Sequence, residues 1–121
     1  MTTYYSEDHE WVRLDGDTGT LGITGHAAEQ LGDVVFVELK ETGEAFAQGD
    51  EIGVIESVKA ASEIYAPVDG EIIAVNDTLA DAPALVNESP EGDAWLYRIR
   101  LSDPSQLDAL MDRDAYGAFT G

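Results

Sequence analysis

Short runs of β-branched and aromatic residues, each closed off within a few positions by Gly, Pro or Asp, constrain this chain more than any other feature. Asp33-Val-Val-Phe-Val-Glu-Leu39 and Glu51-Ile-Gly-Val-Ile-Glu-Ser57 are of strand length and too short for the long helices that build a helical bundle. No run approaches 18 continuous apolar residues, so no membrane-spanning helix is expected. The pattern predicts many short strands with small helices, packed as a compact sandwich or barrel.

His9 to Leu14 and Thr20 to Thr24 read as a hairpin turned at Asp15-Gly16-Asp17. Thr24 is a suitable N-cap for a short helix over Ala27 to Leu31, which Gly32 would end with a left-handed backbone. Extended structure then covers Asp33 to Leu39, a short segment between Gly43 and Gln48-Gly49-Asp50, Glu51 to Ser57, and the stretch after Val58-Lys59-Ala60 up to Ala66. Pro67 interrupts, Asp69 to Val75 resumes, and Trp95 to Leu101 alternates as a late strand. Asn76 to Pro90 reads as turns with one helical turn near Leu79. Beyond Pro104, Leu107, Leu110 and Met111 recur at helical spacing, and Asp114 to Phe119 forms a second short helix. Gly49-Asp-Glu-Ile52 and Gly70-Glu-Ile72 echo one another, which duplication and shared turn chemistry explain equally well.

The 121 residues match one domain, able to bury roughly 65% of the unfolded surface. With 44% hydrophobic residues the chain can build a core despite its charge, which is extreme: 25 Asp plus Glu against 6 Lys plus Arg, a formal net charge of -19. Such a surface repels phosphate backbones and anionic headgroups, which argues against nucleic-acid and membrane-surface roles. The acids are spread from Glu7 to Asp114, and a salt-rich, halophilic cytoplasm is where that distribution makes sense, because molar salt screens charges beyond about 3 Å. No basic stretch followed by an apolar run opens the chain, so a soluble, cytoplasmic protein is expected.

Absence of cysteine excludes disulfides and thiolate zinc sites. The two histidines, His9 and His26, lack metal-ligand spacing and read as a strand-surface group and a helix-start group. A two-carboxylate hydrolase pairing Glu10 with Glu56 has no supporting nucleophile or pocket signal, and no phosphate-binding glycine motif occurs. The two lysines are more informative. Lys40 follows a strand beside Glu41, where a solvent-facing role is the default. Lys59 lies at the break between two extended segments, near Glu56 and Glu63, where a projecting primary amine is either a surface lysine paired with acids or a modification site.

At Glu56-Ser-Val-Lys-Ala-Ala-Ser62 the chain resembles the lipoylation site of glycine cleavage system H proteins, and the likeness runs from about Tyr5 to Phe119. Its other landmarks are His9-Glu-Trp-Val12, Gly22-Ile-Thr-Gly-His-Ala27, Gln30-Leu-Gly-Asp-Val-Val-Phe-Val-Glu-Leu39, Ala66-Pro-Val-Asp-Gly-Glu71, Leu85-Val-Asn-Glu-Ser-Pro90, Gly92-Asp-Ala-Trp-Leu96 and Leu101-Ser-Asp-Pro104. The lysine motif alone is shared with other carrier domains, whereas the ordered set is specific.

The resemblance implies a mainly β barrel–sandwich hybrid of the lipoyl-domain type, one domain over 1–121 with 103–119 as a helical C-terminal extension. It implies a non-catalytic, monomeric carrier with lipoate in amide linkage to Lys59. The arm would take an aminomethyl group from a pyridoxal-phosphate glycine decarboxylase, pass the one-carbon unit to a folate-dependent aminomethyltransferase, and be reoxidised by dihydrolipoamide dehydrogenase. A lipoate-attaching enzyme is a fourth partner. Shelter of the loaded arm points to Glu10 and Glu63, with Asp8 where the family usually has a small hydroxyl residue; Glu56 and Ser57 flank the lysine. Gly25 stands where Asp or Asn is usual, and Glu63 where Asp is common. A lipoyl carrier of a 2-oxoacid dehydrogenase, a lipoyl-relay protein and a purely structural binding module remain alternatives.

Overall fold

A computed structural model describes residues 2–120. In chain order the strands are β1 (Thr2–Tyr5), β2 (Glu10–Asp15), β3 (Thr18–Ile23), β4 (Val34–Leu39), β5 (Ala45–Phe46), β6 (Glu51–Ser57), β7 (Ala61–Tyr65), β8 (Gly70–Val75) and β9 (Tyr97–Leu101). The helices are α1 (Gly25–Leu31), α2 (Thr78–Asp81), α3 (Leu85–Glu88) and α4 (Arg113–Thr120), with a 3-10 helix at Pro104–Ala109.

One antiparallel sheet has the order β1-β2-β3-β9-β8-β5 and the other the order β4-β6-β7. Ile52, Ile55 and Ile64 of the smaller sheet join Leu21, Ile72 and Ile99 of the larger in one apolar core, all nearly or fully buried. Each such side chain contributes roughly 1.5–3 kcal/mol on burial, and this apolar layer holds together a surface dominated by like charges. The mainly β barrel–sandwich architecture is therefore the one expected. β9, whose sheet position the sequence left open, is central, between β3 and β8, and alternates buried and exposed from Tyr97 onward. Leu96, just before it, is fully buried and breaks the longer alternation read from Trp95.

The β2–β3 hairpin turns at Gly16, whose φ of +67° suits glycine. β1, absent from the sequence reading, adds to the outer side of β2 with Tyr5 opposite Trp11. Tyr5, Trp11 and Tyr116 form a second buried cluster that fastens α4 to this edge. Gly22 makes room for it: a β-carbon there would stand 2.7 Å from the Trp11 ring.

The C-terminal segment departs from the helical spacing of Leu107, Leu110 and Met111. The 3-10 helix stops at Ala109, Leu110 is extended, and Met111 exchanges two backbone hydrogen bonds with Tyr5. Pairing with β1 supplies the hydrogen bonds that a continued helix would have made internally. Asn76–Pro90 holds two helical turns, α2 and α3, where one was expected.

Candidate functional site

β6 and β7 pair from Glu51–Tyr65 to Glu56–Ala61, leaving Ser57 to Ala60 to close the hairpin. The Ser57 amide donates to the Ala60 carbonyl at 2.8 Å, and the Ser57 hydroxyl accepts from the amides of Lys59 and Ala60, each at 3.2 Å. The hydroxyl also donates to the Ala60 carbonyl at 3.1 Å. Ser57 therefore ties down the backbone on which the exposed Lys59 is displayed. Val58 anchors the tip to the neighbouring chain, its amide donating to the Asp33 carbonyl at 3.0 Å.

Beside this tip a cleft of about 290 Å³ opens between α1 and the β6–β7 hairpin. Ile23, Ala27, Gln30 and Leu31 line it from one side; Ile55, Ser62 and Ile64 line it from the other, with Ala60 and Ala61 at the base of the tip. Thr24 caps α1, its Oγ accepting from the Ala27 amide at 3.2 Å, as expected. Gly32 ends the helix at φ +75° and ψ -155°, an extended mirror-image conformation instead of the left-handed helical one.

Asp8, Glu10 and Glu63 all face this cleft, so residues 53 or more positions apart in sequence converge there. Asp8 and Glu63 are exposed at its rim, and Glu10, 3% exposed, forms its floor. Burial pushes the Glu10 carboxyl up to about 7, helped by Asp8 and opposed by hydrogen bonds from Ser6 and the Tyr65 backbone. The Ser6 hydroxyl donates to Glu10 Oε1 at 2.7 Å. Glu56 lies elsewhere, exposed and registered against Phe36 and Ala61, so it does not pair with Glu10.

The cleft also contains His9, which sits in the turn before β2 with φ +68° instead of on a strand surface. Its Nδ1 lies 2.7 Å from the Tyr116 hydroxyl, and that oxygen lies 2.7 Å from Thr24 Oγ. Burial lowers the His9 pKa, as does the neighbouring His26, whose ring is 4.6 Å away; Asp8 acts in the opposite direction. His26 lies in the first turn of α1, as expected.

Two residues near the site carried no individual signal in the sequence. Asn87 of α3 accepts from the Val34 amide at 2.8 Å and donates to the Gly32 carbonyl at 2.7 Å, bracing the loop that follows α1. Tyr116 links His9 to the α1 cap. Lys40, the other lysine, follows β4 and pairs with Glu44 at 3.9 Å. Among the described residues no cluster of three or more His, Cys, Asp or Glu could hold a metal ion, and no helix is long and apolar enough to cross a membrane.

Residues 3–121 match the family model described as glycine cleavage H-protein. A protein named glycine cleavage system H protein from Dinoroseobacter shibae is 60% identical over 99% of this chain and 98% of its own length. Another of that name, from Parvibaculum lavamentivorans, is 59% identical over 95% of this chain and 92% of its own. The crystal structure of a glycine cleavage system H protein from Mycobacterium marinum superimposes with a TM-score of 0.90 at 36% identity, covering 99% of this chain and 97% of that one.

Proposed function

The chain belongs to the glycine cleavage H-protein family, and from that premise we propose that it is the lipoyl-bearing carrier of the glycine cleavage system, with Lys59 as the attachment point. The observation that carries this reading is the exposed Lys59 on a hydrogen-bonded hairpin tip, directly beside a cleft with apolar walls and an acidic floor. Lipoate fits these residues: the Lys59 amine is free to form an amide, the aliphatic walls match a hydrocarbon chain, and the carboxylates match a cationic end. When bound, the group supplies a dithiolane that takes up an aminomethyl unit and returns as a dithiol for reoxidation.

The chain's own residues do the rest by holding and sheltering. Asp8 and Glu63 at the rim attract a cationic amine, and Glu10 beneath them ionises as the amine enters, because a cation nearby lowers a carboxyl pKa that burial had raised to about 7. Carriage of the arm replaces diffusion of a labile intermediate with a high local concentration at each partner. The protein itself turns nothing over. Its partners are the glycine decarboxylase, the aminomethyltransferase, dihydrolipoamide dehydrogenase and a lipoate-attaching enzyme, met as a monomer in the cytoplasm, and its acidic surface suits high salt.

Peptide mass mapping after incubation with lipoate, ATP and a competent lipoate ligase tests the assignment. One lipoyl amide on Lys59 with Lys40 unmodified is the expected result. Modification at Lys40 alone, or none, refutes it.

A further inference from the structure

The β4–β6 pairing contains a bulge between Val34 and Phe36. Regular alternation would turn one of two successive residues inward. Here Val34 and Val37 are buried while Val35 and Phe36, between them, are 54% and 50% exposed. Val58, immediately before Lys59, is 68% exposed. These are three of the five large apolar side chains left exposed among the described residues, and all three lie where β4 begins alongside the hairpin tip. Phe36 is in register with Glu56, Val34 with Ser57, and the Val58 amide bonds to Asp33.

A chain this rich in charge has little reason to leave three bulky apolar groups around one lysine unless something covers them. We propose that Val35, Phe36 and Val58 form the docking ridge for the enzyme that acylates Lys59. The proposal rests on the carrier reading and deepens it.

Reach selects this occupant. A partner that works on the far end of a long arm can stand off from the tip. An enzyme that forms the amide must bring its site to Nζ, within one extended lysine side chain, roughly 6 Å, of the backbone at residue 59. It therefore covers Val58 and the adjoining strand. In that step the Nζ lone pair forms the amide bond to an activated lipoyl carboxyl, the activating phosphate ester leaves with its bonding pair, and the displaced proton goes to solvent. Exposed Asp33, Glu38 and Glu56 flank the ridge, so the complementary surface is an apolar socket with a basic rim. Phe36 is the anchor, because aromatic side chains dominate such contacts.

The test compares the unmodified chain with Phe36→Ser, Val58→Thr and the double variant as substrates of a lipoate ligase with lipoate and ATP, following acylation by intact mass. For the variants we expect KM to rise tenfold or more with kcat within twofold, and the ligase's Kd for each variant to weaken in parallel. Phe36→Tyr should stay near the parent, and raising potassium chloride should increase the parent's KM. Denaturant midpoints and reaction of Lys59 with a small activated ester should match the parent, which separates docking from folding and from intrinsic amine reactivity. Equal KM values in parent and variants overturn the ridge while leaving the carrier reading intact; failure of the parent to be acylated at Lys59 overturns both. Normal acylation combined with loss of self-association in sedimentation, or with slowed aminomethyl loading alone, assigns the ridge to a second copy or to the decarboxylase and overturns the proposal.

Discussion

The Lys59 side chain lies across Gly32, so close that a β-carbon on residue 32 would stand 3.1 Å from Lys59 Cε and 3.4 Å from Nζ. The end of α1 and the tip of the β6–β7 hairpin thus meet at the lysine stem, and Asn87 braces the Gly32 carbonyl from below. The contact gives the lysine a resting surface without occupying its amine.

Gly32→Ala should destabilise the fold by about 1–3 kcal/mol, because φ +75° with ψ -155° is accessible almost only to glycine. The steric contact itself is relieved by rotation of the lysine stem. Urea melts should show the loss of stability, while mass analysis should still find Lys59 open to acylation.

Glu10 should make stability fall as pH rises from about 4.5 to about 7. Its carboxyl is raised in the folded state, so the native protein holds a proton that the unfolded chain has already released, and each step up in pH favours unfolding. The loss is roughly 3 kcal/mol once pH exceeds the folded value. Glu10→Gln, which keeps an oxygen to accept from Ser6, should flatten this part of the profile and be more stable than the parent at pH 8. Denaturation midpoints from pH 4 to 8 check the slope.

Tyr116→Phe removes the hydroxyl shared by His9 and Thr24 while keeping the ring stacked on Tyr5, centroids 4.7 Å apart. We expect a loss of about 1–2 kcal/mol, the size of one or two buried hydrogen bonds. Amide hydrogen exchange should quicken in the first turn of α1, whose cap is Thr24. Unchanged exchange at Ala27 would detach α4 from the cleft wall.

Molar potassium chloride should raise the denaturation midpoint well above its value in dilute buffer. Among the described residues only three ion pairs form, at 3.9, 3.1 and 4.0 Å, so most of the 25 acidic side chains face uncompensated neighbours. A parallel series at lower pH separates screening from the general strengthening of apolar burial by salt, since protonation removes only the former effect. Matching midpoints in dilute and molar chloride would defeat the halophilic reading.

Local chemistry placed several features that the structure bears out. Gly16 turns the first hairpin, Thr24 caps α1, and the break at Val58-Lys59-Ala60 separates β6 from β7, because each depends on residues within one turn of chain. β1 leaves no signal in the sequence since four residues carry too little periodicity, and only pairing with β2 holds them extended. Met111 left its expected helix, and His9 its expected strand, for partners far away in sequence, Tyr5 and Tyr116.

The sequence by itself determined the strand-and-turn grammar and the charge, which follow from neighbouring residues and from composition, and it set Lys59 at the break between two extended segments, where only the family resemblance singles it out for modification. Tertiary structure alone decided that Glu56 stands outside the cleft that Asp8, Glu10 and Glu63 line, and that Glu10 lies deep enough for burial to push its carboxyl up to about 7. It also decided that a bulge turns Val35 and Phe36 outward beside Lys59. Register and burial are properties of strands brought together from distant parts of the chain, and the energy of a carboxylate or an aromatic ring is set by what those strands place around it.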